Sequence, residues 1–240
     1  MTDIQEKHAL MCACSERRLL PRNERVQARV SLEAEGWRIT EVPDLCRMAA
    51  TDPSSLTALT KAPTLLVAAC HPRAVYWTLR YSGVERPVTD FLFRDLRPPT
   101  GIPATNPAAP SAPPDEGQSW PAWFPVIDYA RCTGCRQCVN FCAFGVYAVK
   151  DRQVRVVQPR NCKDNCPACA RICPTLAIIF PKVDQTPING ADVTEADLVR
   201  MRDLAAKADP SAPGNTLHSI LAQRRNRPAE PPDEKGLPAS

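Results

Sequence analysis

RCTGCRQCVNFC at residues 131–142 and NCKDNCPACARICP at residues 161–174 decide how this chain folds. Between them they hold eight of its twelve cysteines. The first run reads Cys132-x2-Cys135-x2-Cys138-x3-Cys142. The second reads Cys162-x3-Cys166-x2-Cys169-x3-Cys173, with Pro174 directly after. A [4Fe–4S] cube takes four thiolates, one per iron, and a C-x2-C-x2-C loop wraps one cube and supplies three of them. The fourth cysteine of each run is carried past that cube and reaches the other, so the two runs interlock. Zinc is the weaker reading, because a triple run followed by x3-C does not divide into tetrahedral pairs.

The remaining composition suits a cytoplasmic protein. The 240 residues carry a formal net charge of +4 without a block of lysine or arginine, so no nucleic-acid partner is expected. No run of eighteen apolar residues occurs, so no membrane span is expected. The first eighteen residues mix acid, base and apolar side chains and lack a signal-peptide core. In that setting twelve cysteines read as metal ligands rather than disulfides.

Residues 97–119 hold seven of the 26 prolines and no apolar periodicity. They form an extended, semi-stiff linker, either a tether that lets one module swing or a plain spacer. Before it, strand and helix signals alternate. Residues 9–13 are a short apolar run. A helix is expected over 24–35 with Val26, Val30 and Ala34 on one face, then a strand over 37–42. Short helices flank Pro53, and residues 64–69 read as a strand buried on both faces. Pro72 opens a helix that runs to Gly83, and residues 88–93 give a fourth strand. This order implies a small parallel sheet flanked by helices.

The other four cysteines then fall at strand ends: Cys12 and Cys14 after the first strand, Cys46 after the second, Cys70 after the third. The carboxyl ends of parallel strands share one edge, where ligands bind, so the four are expected to converge. They suit a third iron–sulfur cluster, thiol–disulfide chemistry at Cys12-x-Cys14, structural zinc, or plain core. A helix start beside Cys70, with His71 and Arg73 adjacent, is expected to favour its thiolate.

The fragments MCAC, DLC and AACHPR resemble the N-terminal domain of the heterodisulfide reductase A subunit and the small iron–sulfur subunit that links hydrogenase to it. The resemblance covers about residues 10–97 and implies an electron-relay cluster on Cys12, Cys14, Cys46 and Cys70. With nine glycines and no G-x-G-x-x-G, the chain lacks the flavin site of the large reductase subunit.

Residues 120–182 resemble bacterial ferredoxins with two [4Fe–4S] clusters. That resemblance implies cluster one on Cys132, Cys135, Cys138 and Cys173, and cluster two on Cys142, Cys162, Cys166 and Cys169. Two departures stand out: Ala143 follows Cys142 where proline is usual, and the second run opens with a gap of three. Short strands are expected over 124–128 and 177–180, with a helix over 143–149 leading to a hairpin strand over 154–157. Val139, Phe141, Phe144, Ile172 and Ile178 are expected to exclude water from the clusters.

The fold class is therefore mixed: a small parallel α/β domain (1–96), a Pro-rich linker (97–119) and a dicluster ferredoxin-like α+β domain (120–185). A helical C-terminal segment (186–226) and a tail without structure (227–240) follow. The C-terminal helix is expected over 192–208, capped by Thr194 and Asp197, with Leu198, Met201, Leu204 and Ala205 as its stripe. A second short helix is expected over 216–225. No catalytic residue set is visible. The expected function is electron transfer with donor and acceptor oxidoreductases as partners, beside a thiol–disulfide reductase component and a non-catalytic iron–sulfur sensor or carrier as alternatives.

Overall fold

The computed structural model describes residues 7–17, 19–97 and 120–207, the last three as backbone alone. Most of the expected linker (98–119), the helix expected over 216–225 and the tail after Arg227 lie outside the described residues. The chain forms two compact units, Met1–Val199 and Arg200–Ser240.

Within the first unit, β1 (Lys7–Cys12), β2 (Arg38–Val42), β3 (Thr64–Ala69) and β4 (Phe91–Asp95) form one parallel sheet in the order β2-β1-β3-β4. The central strands β1 and β3 are buried almost throughout, which is why residues 9–12 and 65–69 read as unbroken apolar runs. The connections are α1 (Arg22–Ala34), α2 (Leu45–Thr51), α3 (Pro53–Leu59) and α4 (Pro72–Tyr81). Asp44 caps α2 by accepting from Arg47 N–H at 2.9 Å, and Asp52 caps α3 by accepting from Ser55 N–H at 3.1 Å. The chain leaves β1 toward β2 and later crosses back over β1 to β3. The strand order thus reverses between β1 and β3, and an open crevice is expected outside their carboxyl ends.

Two expectations in this region are corrected. Helix α1 forms, but it buries Ala28 and Leu32, while Val26 and Val30 are 51% and 60% exposed and Ala34 is exposed. Arg25 and Arg29 both pair with Glu41 of β2, which sets the rotation of the helix and leaves the valines outside. Strand β4 begins at Phe91, because Val88–Asp90 is a single 3-10 turn closed by Asp90 N–H on Pro87 O at 3.1 Å.

In the cysteine-rich region, β5 (Val126–Ile127) pairs antiparallel with β8 (Ile178–Ile179). A hairpin joins β6 (Tyr147–Lys150) to β7 (Gln153–Val156). It turns on Asp151 and Arg152, both at positive φ (49° and 62°), as a two-residue hairpin loop needs. The helices are α5 (Gln137–Phe141) and α6 (Ala168–Arg171), one after each cysteine loop. The helix expected over 143–149 is thus misplaced: α5 lies earlier, where the Cys138–Cys142 spacing closes one helical turn through Cys142 N–H on Cys138 O at 3.1 Å. The chain then bends at Gly145 (φ 66°) straight into β6.

The β5–β8 ribbon belongs to two cores at once. The facing pair Val126 and Ile179 packs with Leu10, Leu66 and Val75 of the sheet region, while the facing pair Ile127 and Ile178 packs with Val146, Val154 and Cys173. Side chains alternate along a strand, so one ribbon can serve both. Arg73 of α4 ties the regions further, donating to Asp128 Oδ2 at 2.7 Å and to Leu176 O at 2.5 Å. Ala74 lies so close to Gly190 that a Cβ there would stand 2.3 Å from the Ala74 Cβ. A swinging tether does not fit this shared core.

Helix α7 (Glu195–Lys207) starts in a reciprocal capping box. Asp197 N–H donates to Thr194 Oγ1 at 3.2 Å, and Thr194 N–H donates to Asp197 Oδ2 at 3.0 Å. Met201 is buried, but Leu204 is 55% exposed, so the expected stripe is only partly covered. The Ala205 side chain lies outside the described residues.

Candidate metal centres

Cys132, Cys135 and Cys138 line one cavity, and Cys173, from the other run, lines it with them. Its walls include Ile127, Val154, Ala177 and Ile178. Helix α6 makes the crossing: it carries the chain from Cys169 to Cys173, away from the second loop and toward the first. Cys142 does the reverse at the end of α5. It stands within electrostatic reach of Cys162 and Cys169, as does Cys166.

These thiols repel charge as they stand. Burial pushes Cys138 up to about 12, reinforced by Cys173, Cys169 and Cys132. Burial also pushes Cys169 to about 12, partly offset by Tyr147, whose hydroxyl lies 3.0 Å from Cys169 Sγ. Cys162 is raised by burial and by Cys169, Cys142 and Cys166. Such crowding of soft, all-sulfur donors suits a cationic iron–sulfur core. Among the described residues no group of three or more His, Cys, Asp or Glu side chains is placed to hold a single metal ion. Backbone N–H groups also reach sulfur, as Ala177 does with Cys173 at 3.3 Å.

Of the apolar shell expected from the sequence, Ile178 is buried, while Val139, Phe141 and Ile172 are half-buried. Phe144 is corrected: it is 45% exposed, because the turn into β6 swings it outward. Val146 and Tyr147 are buried in that core instead.

The N-terminal cysteines also converge. Cys12, Cys14, Cys46 and Cys70 line one cavity at the carboxyl edge of the sheet, at the strand-order reversal. Cys46 sits in the first turn of α2, just after β2. Leu45 N–H donates to Cys12 Sγ at 3.4 Å. The expected easy thiolate at Cys70 is corrected: burial pushes it to about 12 despite the nearby Arg97. His71 turns to Asp95 at 2.8 Å and Arg73 to Asp128, so neither serves the sulfur. Pro181 and Lys182, from the cysteine-rich region, line this same cavity. Lys182 Nζ donates to Glu16 Oε2 at 2.6 Å and forms an ion pair at 3.0 Å with Asp44 Oδ2 that lacks hydrogen-bond alignment. Sequence reading missed Lys182 and Tyr147, since neither lies in a cysteine motif; the DLC fragment placed Asp44 without revealing its role.

The described residues contain no helix long and apolar enough to cross a membrane. Residues 124–196 match the 4Fe-4S dicluster domain family. Over 55 residues the chain is 39% identical to a ferredoxin of Methanothermococcus thermolithotrophicus, covering 90% of that protein and 22% of this one.

The chain belongs to the ferredoxin family.

Its dicluster domain carries two [4Fe–4S] clusters. It is 46% identical over 61 residues to an uncharacterised ferredoxin of Methanocaldococcus jannaschii, 25% of this chain and 42% of that one. It is 26% identical over 160 residues to the formate dehydrogenase-O iron–sulfur subunit of Escherichia coli, 63% of this chain and 53% of that one. The chain thus spans about half the length of these two relatives. No solved structure matches it.

Proposed function

We propose that this ferredoxin is a relay subunit of a larger cytoplasmic oxidoreductase with three iron–sulfur centres. Cys132, Cys135, Cys138 and Cys173 hold the first cube. Cys142, Cys162, Cys166 and Cys169 hold the second. Cys12, Cys14, Cys46 and Cys70 hold a third iron–sulfur group. What supports this reading is that Cys12, Cys14, Cys46 and Cys70 line one cavity, that Cys132, Cys135, Cys138 and Cys173 line another, and that Cys142 and Cys166 act electrostatically on both Cys162 and Cys169. The similarity to the formate dehydrogenase iron–sulfur subunit supports the subunit role, as it extends well beyond the dicluster segment. The N-terminal resemblance to heterodisulfide reductase is in keeping with it.

When bound, such centres accept and release single electrons. The chain's own residues cage them, exclude water and order them. Cys162 packs against both cores, and Arg17, just beyond Cys14, pairs with Asp164 in the Cys162–Cys166 loop. The second cube therefore lies nearer the N-terminal group. Cys135 of the first set is exposed and marks the outer end of the relay, where a partner docks.

The thiol–disulfide alternative needs an accessible thiolate at Cys12 or Cys14. Both are buried, and burial raises both thiols, which disfavours that reading. The test is anaerobic full-length Cys70→Ser. Three centres predict that it loses iron and visible absorbance while keeping about the eight irons of two cubes. Unchanged iron, together with a disulfide-reducing activity abolished in Cys12→Ser, would replace this reading with the thiol one.

A further inference from the structure

The N-terminal cysteine cavity is not built by the N-terminal module alone. Pro181 and Lys182 come from the chain just past β8, more than a hundred residues downstream of Cys70, and complete its wall. Lys182 is only 4% exposed at its side chain. A buried ammonium is costly unless compensated. Its two visible partners are Glu16, two residues past Cys14, and Asp44, two residues before Cys46. Glu16 is itself shared with Arg47. The cation is thus held at the base of two of the three cysteine-bearing segments. Arg97, whose guanidinium donates to Pro181 O at 2.8 Å, adds positive charge behind the same wall.

We propose that Lys182 is the internal counter-charge of the group held by Cys12, Cys14, Cys46 and Cys70. It makes that centre a composite of both modules and raises its reduction potential. This rests on the three-centre reading above. Reduction adds negative charge to a dry site, and a fixed cation beside it stabilises the reduced form. The same residue fastens the modules together, so the centre takes its working potential only when the ferredoxin region is docked. Lys182 acts here as a positioning and tuning residue rather than as a ligand.

The experiment is a potentiometric titration of anaerobic full-length protein, followed by electron paramagnetic resonance, on wild type, Lys182→Met and Lys182→Arg. In Lys182→Met the N-terminal centre is expected to become harder to reduce by tenfold or more in equilibrium constant, about 59 mV for one electron. The two cubes are expected to keep their potentials. Lys182→Arg, which keeps the charge, is expected to stay near wild type. Loss of the N-terminal signal in Lys182→Met with retention in Lys182→Arg also supports the proposal, since assembly then depends on the charge. An unmoved potential in Lys182→Met, an equal shift of all centres, or identical behaviour of the two variants would overturn it. A wild-type protein with two centres only would instead sink the three-centre reading, which iron content separates from the other outcomes.

Discussion

At the scale of single residues, hydrogen bonds to sulfur tune a cluster alongside the apolar shell. Tyr147 is the clearest case, as its hydroxyl sits 3.0 Å from Cys169 Sγ in a buried setting. With Cys169 as a metal-bound thiolate, the hydroxyl is the donor and favours the more negative, reduced state. Tyr147→Phe removes the donor and keeps the ring. The potential of the second cube should fall by an amount on the order of 1 kcal/mol, with the first cube unchanged, as read in a redox titration. Crossed ligation gives a second residue-level outcome. Cys142→Ser sits in the first run, yet it should strip or degrade the second cube. Resonance spectra of the reduced variant should keep the signal of the cube bound by Cys132, Cys135 and Cys138; loss of that signal instead would reverse the ligand assignment. The cysteines themselves were legible in the sequence because their spacing carries the geometry. Lys182 was not, because a lone lysine after a proline looks like surface, and only the fold brings Glu16 and Asp44 to it.

Among the elements, those with strong periodicity or caps were legible and those shaped by tertiary contact were not. The four strands of the parallel sheet and the Thr194–Asp197 box follow from local sequence, whereas the Asp44 and Asp52 caps emerge only in the structure. The rotation of α1 did not, since two valines at helical spacing looked like a buried face. Leu32 and the arginine pairs to Glu41 decided otherwise. The helix expected over 143–149 failed because apolar content was read as helical where a glycine turn and hairpin stand. Between elements, Arg73 carries the heaviest duty. Its side chain is 11% exposed and Asp128 is 5% exposed, so Arg73→Ala leaves a buried carboxylate without its charge partner. That should cost about 3–5 kcal/mol, seen as a lower thermal midpoint of the anaerobic holoprotein. A change within about 0.5 kcal/mol would mean that α4 and the β5–β8 ribbon do not hold each other as described.

For the whole molecule, the sequence announced two modules and a linker but not their shared core. That core depends on Val126 and Ile179 facing one way and Ile127 and Ile178 the other, a division that two-residue strands do not advertise. It also places Cys162 against both cores, while Cys135 is exposed. The account stands or falls on inorganic sulfur being caged by crossed cysteine runs. The most direct test is the iron and acid-labile sulfide content of the full-length chain purified without oxygen. The account predicts at least about eight of each per chain, four per cube. Iron without labile sulfide, or fewer than about four of either, would contradict it.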